Sequence, residues 1–201
     1  MPLPFGIDHA VLAVRDLDAA AASFRELGFT LTPRGHHSIG SQNYCVMLGS
    51  TYIELLAPMS VHPWLEHYRE FLRGGEGVAA IALRTEDADV ACEALRAQGV
   101  PATSPMDLSR PVDGGVARFR LVRIEGVPHV FVCEHQTPEL VWRPEWQRHE
   151  NGALDLAAVA LPAKQPFTGL PLSVEWDAPP ELRIRGLRRS TRTHGVSLTP
   201  A

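Results

Sequence analysis

The stretch Ile7 to Asp18, IDHAVLAVRDLD, decides the fold. It is an apolar run, an Asp-rich turn and the start of an Ala-rich helix. Period-two alternation places His9 on one strand face with Ile7, Val11 and Ala13, and places Ala10, Leu12 and Val14 on the other. An imidazole in an apolar strand is either a hydrogen-bonded core group or a ligand, and on residue type alone the core is the commoner setting. Outward from this stretch, Asp16 or Asp18 caps a helix with apolar positions Leu17, Ala21, Phe24 and Leu27, and Gly28 stops it. Phe29 to Thr32 reads as a second strand broken by Pro33, and Arg34 to Gly40 as a loop containing His36 and His37. Gln42 to Leu48 and Thr51 to Leu56 form a hairpin around Gly49-Ser50. In its second strand Ile53 and Leu55 make a wholly apolar face that packs on the helix. Tyr52, Glu54 and Leu56 therefore face away from the helix, into a concave side. A buried carboxylate is costly unless it is paired or bound to a cation. His9 and Glu54, lone ligand-type residues on the first and last strands of one unit, point to a shared site.

The order βαβββ, with His on its first strand and Glu on its last, resembles a module of the vicinal oxygen chelate superfamily, which includes glyoxalase I, extradiol dioxygenases and bleomycin-resistance proteins. Within it, HHSIGSQNYCVMLGSTYIELL (residues 36–56) and FVCEHQTPELVWRPEWQRHENGA (residues 131–153) are similar to the glyoxalase-like branch. The resemblance covers roughly residues 5 to 160, and the order of its motifs is more specific than any one of them. It implies a divalent metal ion held by His9, Glu54 and a third group, with Zn, Ni, Mn and Fe not distinguishable. It implies no nucleotide cofactor.

A second pass of the pattern begins at Gly77. VAAIALRTEDADVACEALRAQGV repeats strand, acidic turn, helix and glycine, with Val14-Arg15 matching Leu83-Arg84 and Gly28 matching Gly99. Between the units, Pro63 to Arg73 reads as a linking helix whose aromatic stripe is packing; His62 and His67 fall there and are not assigned a function. Val116 to Ile124 and Val127 to Glu134 form a hairpin around Glu125-Gly126. In its second strand Val130 and Val132 are the apolar face, and His129, Phe131, Cys133 and His135 line the cup. Arg118 and Arg120 share a face of the preceding strand, either solvated or at the site. The duplication departs from the superfamily in one respect. Val78 falls opposite His9, where a second ligand is usual, and a valine cannot coordinate. Cys133 falls opposite Glu54, and His135, two residues on, is the substitute third ligand.

The fold expected is α+β: two tandem βαβββ modules forming a curved-sheet cup, plus a β-rich C-terminal extension. The division is residues 1–58 and 76–135 for the modules, 59–75 for the linking helix, and 136–201 for a crossing loop and an extension packed on the same domain. Trp142 and Trp146 in the loop are placed over a cleft or core edge, and His149 stands beside a tight turn. The extension carries strand candidates Leu154 to Leu161, Leu170 to Trp176, Glu181 to Leu187 and Gly195 to Leu198. Its basic run RIRGLRRSTR has no interleaved aromatics and reads as a solvated strand.

Composition sets the remaining bounds. A length of 201 residues supports a core that folds unaided, and a net charge of -4 argues against a nucleic-acid partner. Three cysteines, Cys45, Cys92 and Cys133, without CxxC spacing suit a reducing cytoplasm. MPLPFGID has neither a basic n-region nor an apolar h-region, and no apolar run is long enough for a bilayer, so no membrane partner is expected. A homodimer is left open. Two functions fit. One is a metal-dependent lyase, isomerase or dioxygenase in which His9 and Glu54 are catalytic. The other is a metal-free protein that sequesters a small molecule in the cup. His37, Asn43, Arg118, Arg120 and Cys133 are the expected substrate-binding groups, rich in donors and suited to a small keto or hydroxy acid.

Overall fold

The computed structural model describes residues 5–201; residues 1–4, the start of the stretch read for a leader, lie outside the described residues. In chain order the first unit is β1 (Gly6–Ala13), α1 (Leu17–Glu26), β2 (Gly35–His36), β3 (Ser41–Met47) and β4 (Tyr52–Pro58). Helix α2 (Glu66–Gly74) links it to β5 (Gly77–Thr85), α3 (Ala88–Ala97), β6 (Met106–Val112), β7 (Gly115–Ile124) and β8 (Val127–His135). The two units build one eight-stranded sheet in the order β2-β3-β4-β1-β5-β8-β7-β6, so the expected pair of βαβββ modules is present. Strand β1 runs parallel to β4, β5 parallel to β8, and the units join where β1 meets β5 antiparallel. The sheet curls until its outer strands meet: the Ser38 N–H donates to the Ser109 carbonyl at 2.9 Å. The result is a nearly closed cup.

The helices repeat one local device. The Asp16 carboxylate accepts from the backbone N–H groups of Asp18 and Ala19, and Asp87 accepts in the same way from Asp89 and Val90. Each cap contributes about 1 kcal/mol. Gly28 and Gly99 follow the helices at φ 81° and 76°, a left-handed turn that other residues adopt at a cost. Helices α1 and α3 bury Phe24 and Leu95 against the outer face of the sheet, whose core includes Ala10, Leu12, Ile53 and Leu83.

Several expectations are corrected. Phe29 to Thr32 is not a strand. Only Thr32 pairs with β3, donating its N–H to the Cys45 carbonyl and accepting the Cys45 N–H on its hydroxyl, and Pro33 cannot extend the ladder. The linking helix starts at Glu66 rather than Pro63, after a turn closed by Leu65 N–H on the His62 carbonyl. Strand β6 is the one the βαβββ order requires but the sequence reading did not locate; its Pro111 is tolerated because β6 is a sheet edge. Strand β1 also departs from regular alternation. Ile7 pairs with Leu83 and His9 with Ala82, so Asp8 is the extra residue of a bulge. Ile7 consequently packs with Ala10 and Leu12 on the helix side, not with His9, and Asp8 turns inward beside His9.

The extension forms a second sheet from β9 (Asp155–Leu161), β10 (Val174–Trp176), β11 (Glu181–Arg185), β12 (Thr191–Thr193) and β13 (Val196–Pro200), ordered β10-β9-β11-β13-β12. Its Val159, Leu182, Ile184 and Leu198 are fully buried in the same cluster as Leu12 and Phe24, so it covers the helix side and leaves the cup free. In the basic run Arg183 pairs with Glu175 and Glu181, and Arg185 with Asp155. Among the described residues no helix is long and apolar enough to cross a membrane.

Candidate active site

The concave face is apolar on most strands. Val11, Ala13, Ala79 and Ala80 floor one side, and Leu108, Phe119 and Leu121 wall the other. Polar side chains enter from only a few positions. They surround a cavity of about 60 Å³ lined by His9, His37, Asn43, Glu54, Arg110 and Arg123, with Trp64, His67, Tyr68 and Phe131 around them.

His9 and Glu54 meet there because β1 and β4 are parallel neighbours, with Val11 opposite Glu54 and His9 opposite Tyr52. His9 Nε2 lies 3.7 Å from Glu54 Oε2, within the span of one shared ligand. The ring is fixed by its neighbours. Tyr52 stacks on it with centroids 4.2 Å apart, and Phe131 meets it edge-on at 5.6 Å. Behind the ring lies Asp8, fully buried. Asp8 Oδ2 accepts from His9 Nδ1 at 2.7 Å and from His135 Nε2 at 2.9 Å, and Oδ1 accepts from Arg84 Nε at 2.9 Å. Burial alone would raise the Asp8 pKa, but His135 and His9 outweigh it and hold the carboxyl far below its ordinary range. An ionised carboxylate only accepts, so both imidazoles are donors to it. A neutral His9 therefore carries its proton on Nδ1 and presents the Nε2 lone pair to Glu54.

On the other side of Glu54 stands His37. Its Nδ1 is 2.8 Å from Ser41 Oγ, and its Nε2 is 3.9 Å from Glu54 Oε1 and 3.5 Å from Asn43 Nδ2. Burial, against the pull of Glu54, lowers His37 to about 4, so it is neutral near pH 7. Asn43 Nδ2 donates to Glu54 Oε1 at 2.7 Å, and its Oδ1 is buried without a partner. Glu54 is thus addressed by one imidazole from each side.

Placement of the expected site residues is mixed. His9, His37, Asn43, Glu54 and Cys133 line the cavity together. His135 does not join Glu54. It lies on the Asp8 side of His9 and borders a separate depression with Arg84 and Trp142. The structure does not bring the expected trio of His9, Glu54 and His135 together: His9 offers Nε2 to Glu54 while its Nδ1 side faces Asp8, which His135 also bonds. Asp8, Cys133 and His135 form a different ligand-type grouping, their donor atoms all within 4.8 Å of one another. Burial pushes the Cys133 thiol well above its ordinary pKa. Arg118 and Arg120 are not in the cup. Arg120 Nη1 lies 2.5 Å from Asp89 Oδ2 on α3, and Arg118 is exposed on the same outer face. The inward face of β7 is Ala117, Phe119 and Leu121, the apolar one. His129 packs edge-on against Trp176 of the extension instead of facing the cup.

Three contributors were missed. Asp8 was hidden because alternation puts it on the face opposite His9, and only the bulge turns it inward. Arg110 sits on β6, which was not located from the sequence. Arg123, whose guanidinium lies 4.7 Å from the Trp64 ring and donates to the Pro63 carbonyl, was read as part of a hairpin only. His67, not assigned a function from sequence, lines the cavity while bonding the Ala79 carbonyl at 2.7 Å. His149 is structural: it accepts from the Thr30 N–H on Nδ1 and donates to the Met47 carbonyl from Nε2. Trp142 covers the cup's rear wall, edge-on to Tyr52 and His135, as the crossing loop suggested.

Paired βαβββ units around a cup holding His and Glu on neighbouring strands define the vicinal oxygen chelate class. The model of the glyoxalase-like domain family matches residues 7–169, and the chain belongs to that family. Solved structures share the fold. A hypothetical protein from Staphylococcus aureus aligns over 98% of this chain and 100% of its own, with a TM-score of 0.71 and 13% identity. A methylmalonyl-CoA epimerase variant from Streptomyces coelicolor, in complex with 2-nitronate-propionyl-CoA, aligns over 65% of this chain and 94% of its own, with a TM-score of 0.52 and 22% identity. At these identities the likeness is one of fold. No match was found among curated proteins.

Proposed function

We propose that the cup is the active site of an enzyme that binds a small oxygenated metabolite and moves a proton at the carbon beside its carbonyl. Glu54 and His9 are the acid–base pair. The supporting observation is the convergence of three electron-pair donors. His9 Nε2 and His37 Nε2 each face one oxygen of Glu54, at 3.7 and 3.9 Å. Donors so placed repel one another until a proton or a cation is shared among them. Asp8 completes the device: when His9 Nε2 takes a proton, the resulting imidazolium is stabilised across the ring by a buried carboxylate, as in other carboxylate–histidine pairs. Asn43 anchors one oxygen of Glu54, and Tyr52, Phe131, Trp64 and Tyr68 exclude water around the pair.

Two imidazoles and a carboxylate also suit a divalent cation, which this superfamily often uses; His9, Glu54 and His37 would hold it. Bound there, it supplies Lewis-acid polarisation of two neighbouring substrate oxygens. The Asp8–His9 bond is then the outer support that orients a ligating imidazole. A second reading, sequestration without chemistry, is favoured by one observation: Val78, which matches His9 in the second unit, is buried on the helix side, and Ala79 and Ala80 beside it offer no ligand atom.

The test is solvent-deuterium exchange into a panel of small 2-oxo and 2-hydroxy acids and their neutral analogues, read by proton NMR, with and without Zn²⁺, Ni²⁺, Mn²⁺ or Fe²⁺. The enzyme reading expects exchange that Glu54→Gln abolishes. Binding without exchange for every compound supports sequestration and overturns it. Calorimetric titration of each ion into chelator-treated protein, repeated with His37→Ala, checks the donor set independently of turnover.

A further inference from the structure

Arg110 is the most unusual charge in the molecule. Arg34, Arg84, Arg120 and Arg183 each pair with a carboxylate. Arg110 is 4% exposed, more buried than any of these, yet among the described residues it makes no ion pair and its Nε has no hydrogen-bond partner. A guanidinium does not lose its proton in a protein, so burial cannot be relieved by neutralisation as it can for Lys or His. An uncompensated charge of this kind is costly to fold. Glu54, the nearest acid in function, is turned to the two imidazoles and Asn43.

The surroundings are built to keep the guanidinium there. Gly35 of β2 lies against it: a Cβ at this position would meet Arg110 Nη1 at 2.6 Å and would also collide with Asn43 Oδ1. A glycine is therefore what lets both side chains seat in the wall of the cup. Asn43 Oδ1 is itself buried without a partner. Exchanging its oxygen and nitrogen is excluded, because the amide nitrogen is needed to donate to Glu54 Oε1 at 2.7 Å. A guanidinium without an anion and an amide oxygen without a bonded donor thus stand side by side against Gly35, close enough for one ligand to meet both. The charge belongs to the cup, since Arg110 lines the same cavity as His37, Asn43, Cys45 and Glu54.

We propose that Arg110 and Asn43 form the anchoring subsite for a small carboxylate bearing a hydroxyl or enol on the adjacent carbon, the carboxylate taken by the guanidinium and the hydroxyl donated to Asn43 Oδ1. A guanidinium fork matches a carboxylate's two oxygens. The cavity of about 60 Å³ limits the ligand to a few heavy atoms beyond water scale, roughly four to six water-sized positions. Glycolate and lactate are of that size. This deepens the proposed enzyme reading by naming the substrate class, with the anchored acid presenting its adjacent carbon to the His9–Glu54 pair.

The test is binding, not turnover. Thermal-shift and calorimetric titrations use glycolate and lactate, with acetate, lactamide and inorganic phosphate as comparison ligands. Wild-type protein is expected to gain melting temperature with the hydroxy acids, less with acetate, and not at all with lactamide. Arg110→Met should bind hydroxy acids at least about thirtyfold more weakly and, relieved of a lone buried charge, melt higher than wild type without ligand. Arg110→Lys keeps the charge and the stem but not the fork, and should lose about tenfold; it preserves the test if the Met variant does not fold. Equal response to lactate and lactamide, no response to any acid, or an unchanged response in Arg110→Met or Arg110→Lys overturns the subsite. Glu54→Gln separates the two proposals: acid binding that survives while exchange is lost supports both. Acid binding without any exchange in wild type leaves the subsite standing and removes the enzyme reading.

Discussion

Replacing Asp8 by Asn removes one charge and almost no volume from the hub behind His9. The wild-type carboxylate accepts three hydrogen bonds, from His9, His135 and Arg84, while being fully buried. An amide accepts on one atom only and turns an N–H toward a second donor. Breaking a buried charged network by removing one member costs about 3–5 kcal/mol. Arg84 is 38% exposed in its side chain and recovers solvation, which favours the lower end, about 3 kcal/mol. For a chain of this size each kcal/mol lowers Tm by about 2–4 °C, so Asp8→Asn should melt about 6–12 °C below wild type. The effect should be constant at every pH above the ordinary carboxyl value of 3.8, because the native pKa lies far below it and stability tied to this group is lost only as pH falls beneath that value. Exchange activity should fall far more than stability explains, since loss of tautomer control in a carboxylate–histidine pair costs on the order of 10⁴ in rate. Calorimetric melts of both proteins between pH 5 and 8, roughly the range in which histidines titrate, provide the measurement. A Tm within about 2 °C of wild type would refute the claim that Asp8 is an ionised three-bond hub.

Other outcomes follow from the same geometry. Burial moves His37 from an ordinary 6.5 to about 4, so the unfolded chain takes up its proton first as pH falls; this removes stability on the order of 3 kcal/mol between pH 6.5 and 4, and none above. Denaturant melts of His37→Gln should show a visibly flatter loss over that window, and an identical slope would contradict the assignment. Gly35→Ala should displace Arg110 and Asn43 and abolish hydroxy-acid binding in calorimetry while the far-ultraviolet circular dichroism stays native. Arg120→Ala, which breaks only partly exposed outer pairings with Asp89, Asp107 and Glu134, should leave both the ligand response and the melting temperature close to their wild-type values in the same titrations.

The fold was legible because its signals are local and repeated. An apolar strand, an aspartate cap, a helix of apolar spacing and a left-handed glycine recur around Asp16 and Asp87, and such consistency across levels specifies a unit. His9 and Glu54 were legible because, by alternation, each is the one imidazole or carboxylate on its strand face. The rest of the site was not, for two physical reasons. A bulge breaks period-two reasoning, which is why Asp8 points inward and Ile7 outward. Strand spacing also left Arg118 and Arg120 either solvated or at the site, and they lie on the outer face. The cup is walled by Phe119 and Leu121, and Arg110, one of the two arginines that line it, comes from an edge strand that Pro111 disguised. His135 illustrates a third limit: strand position gave its face correctly but not its partner, which is Asp8 rather than Glu54.

The central claim is that His9 presents a lone pair on Nε2 to Glu54 because Asp8 holds the proton on Nδ1. Long-range proton–nitrogen NMR of ring-labelled histidine at neutral pH, with His9 assigned by loss of its signals in His9→Gln, reports this directly. The expected result is an Nδ1-protonated His9 whose Nδ1 proton is shielded from exchange and moves on Asp8→Asn. A His9 protonated on Nε2, or one whose tautomer is unaffected by Asp8→Asn, would contradict the account.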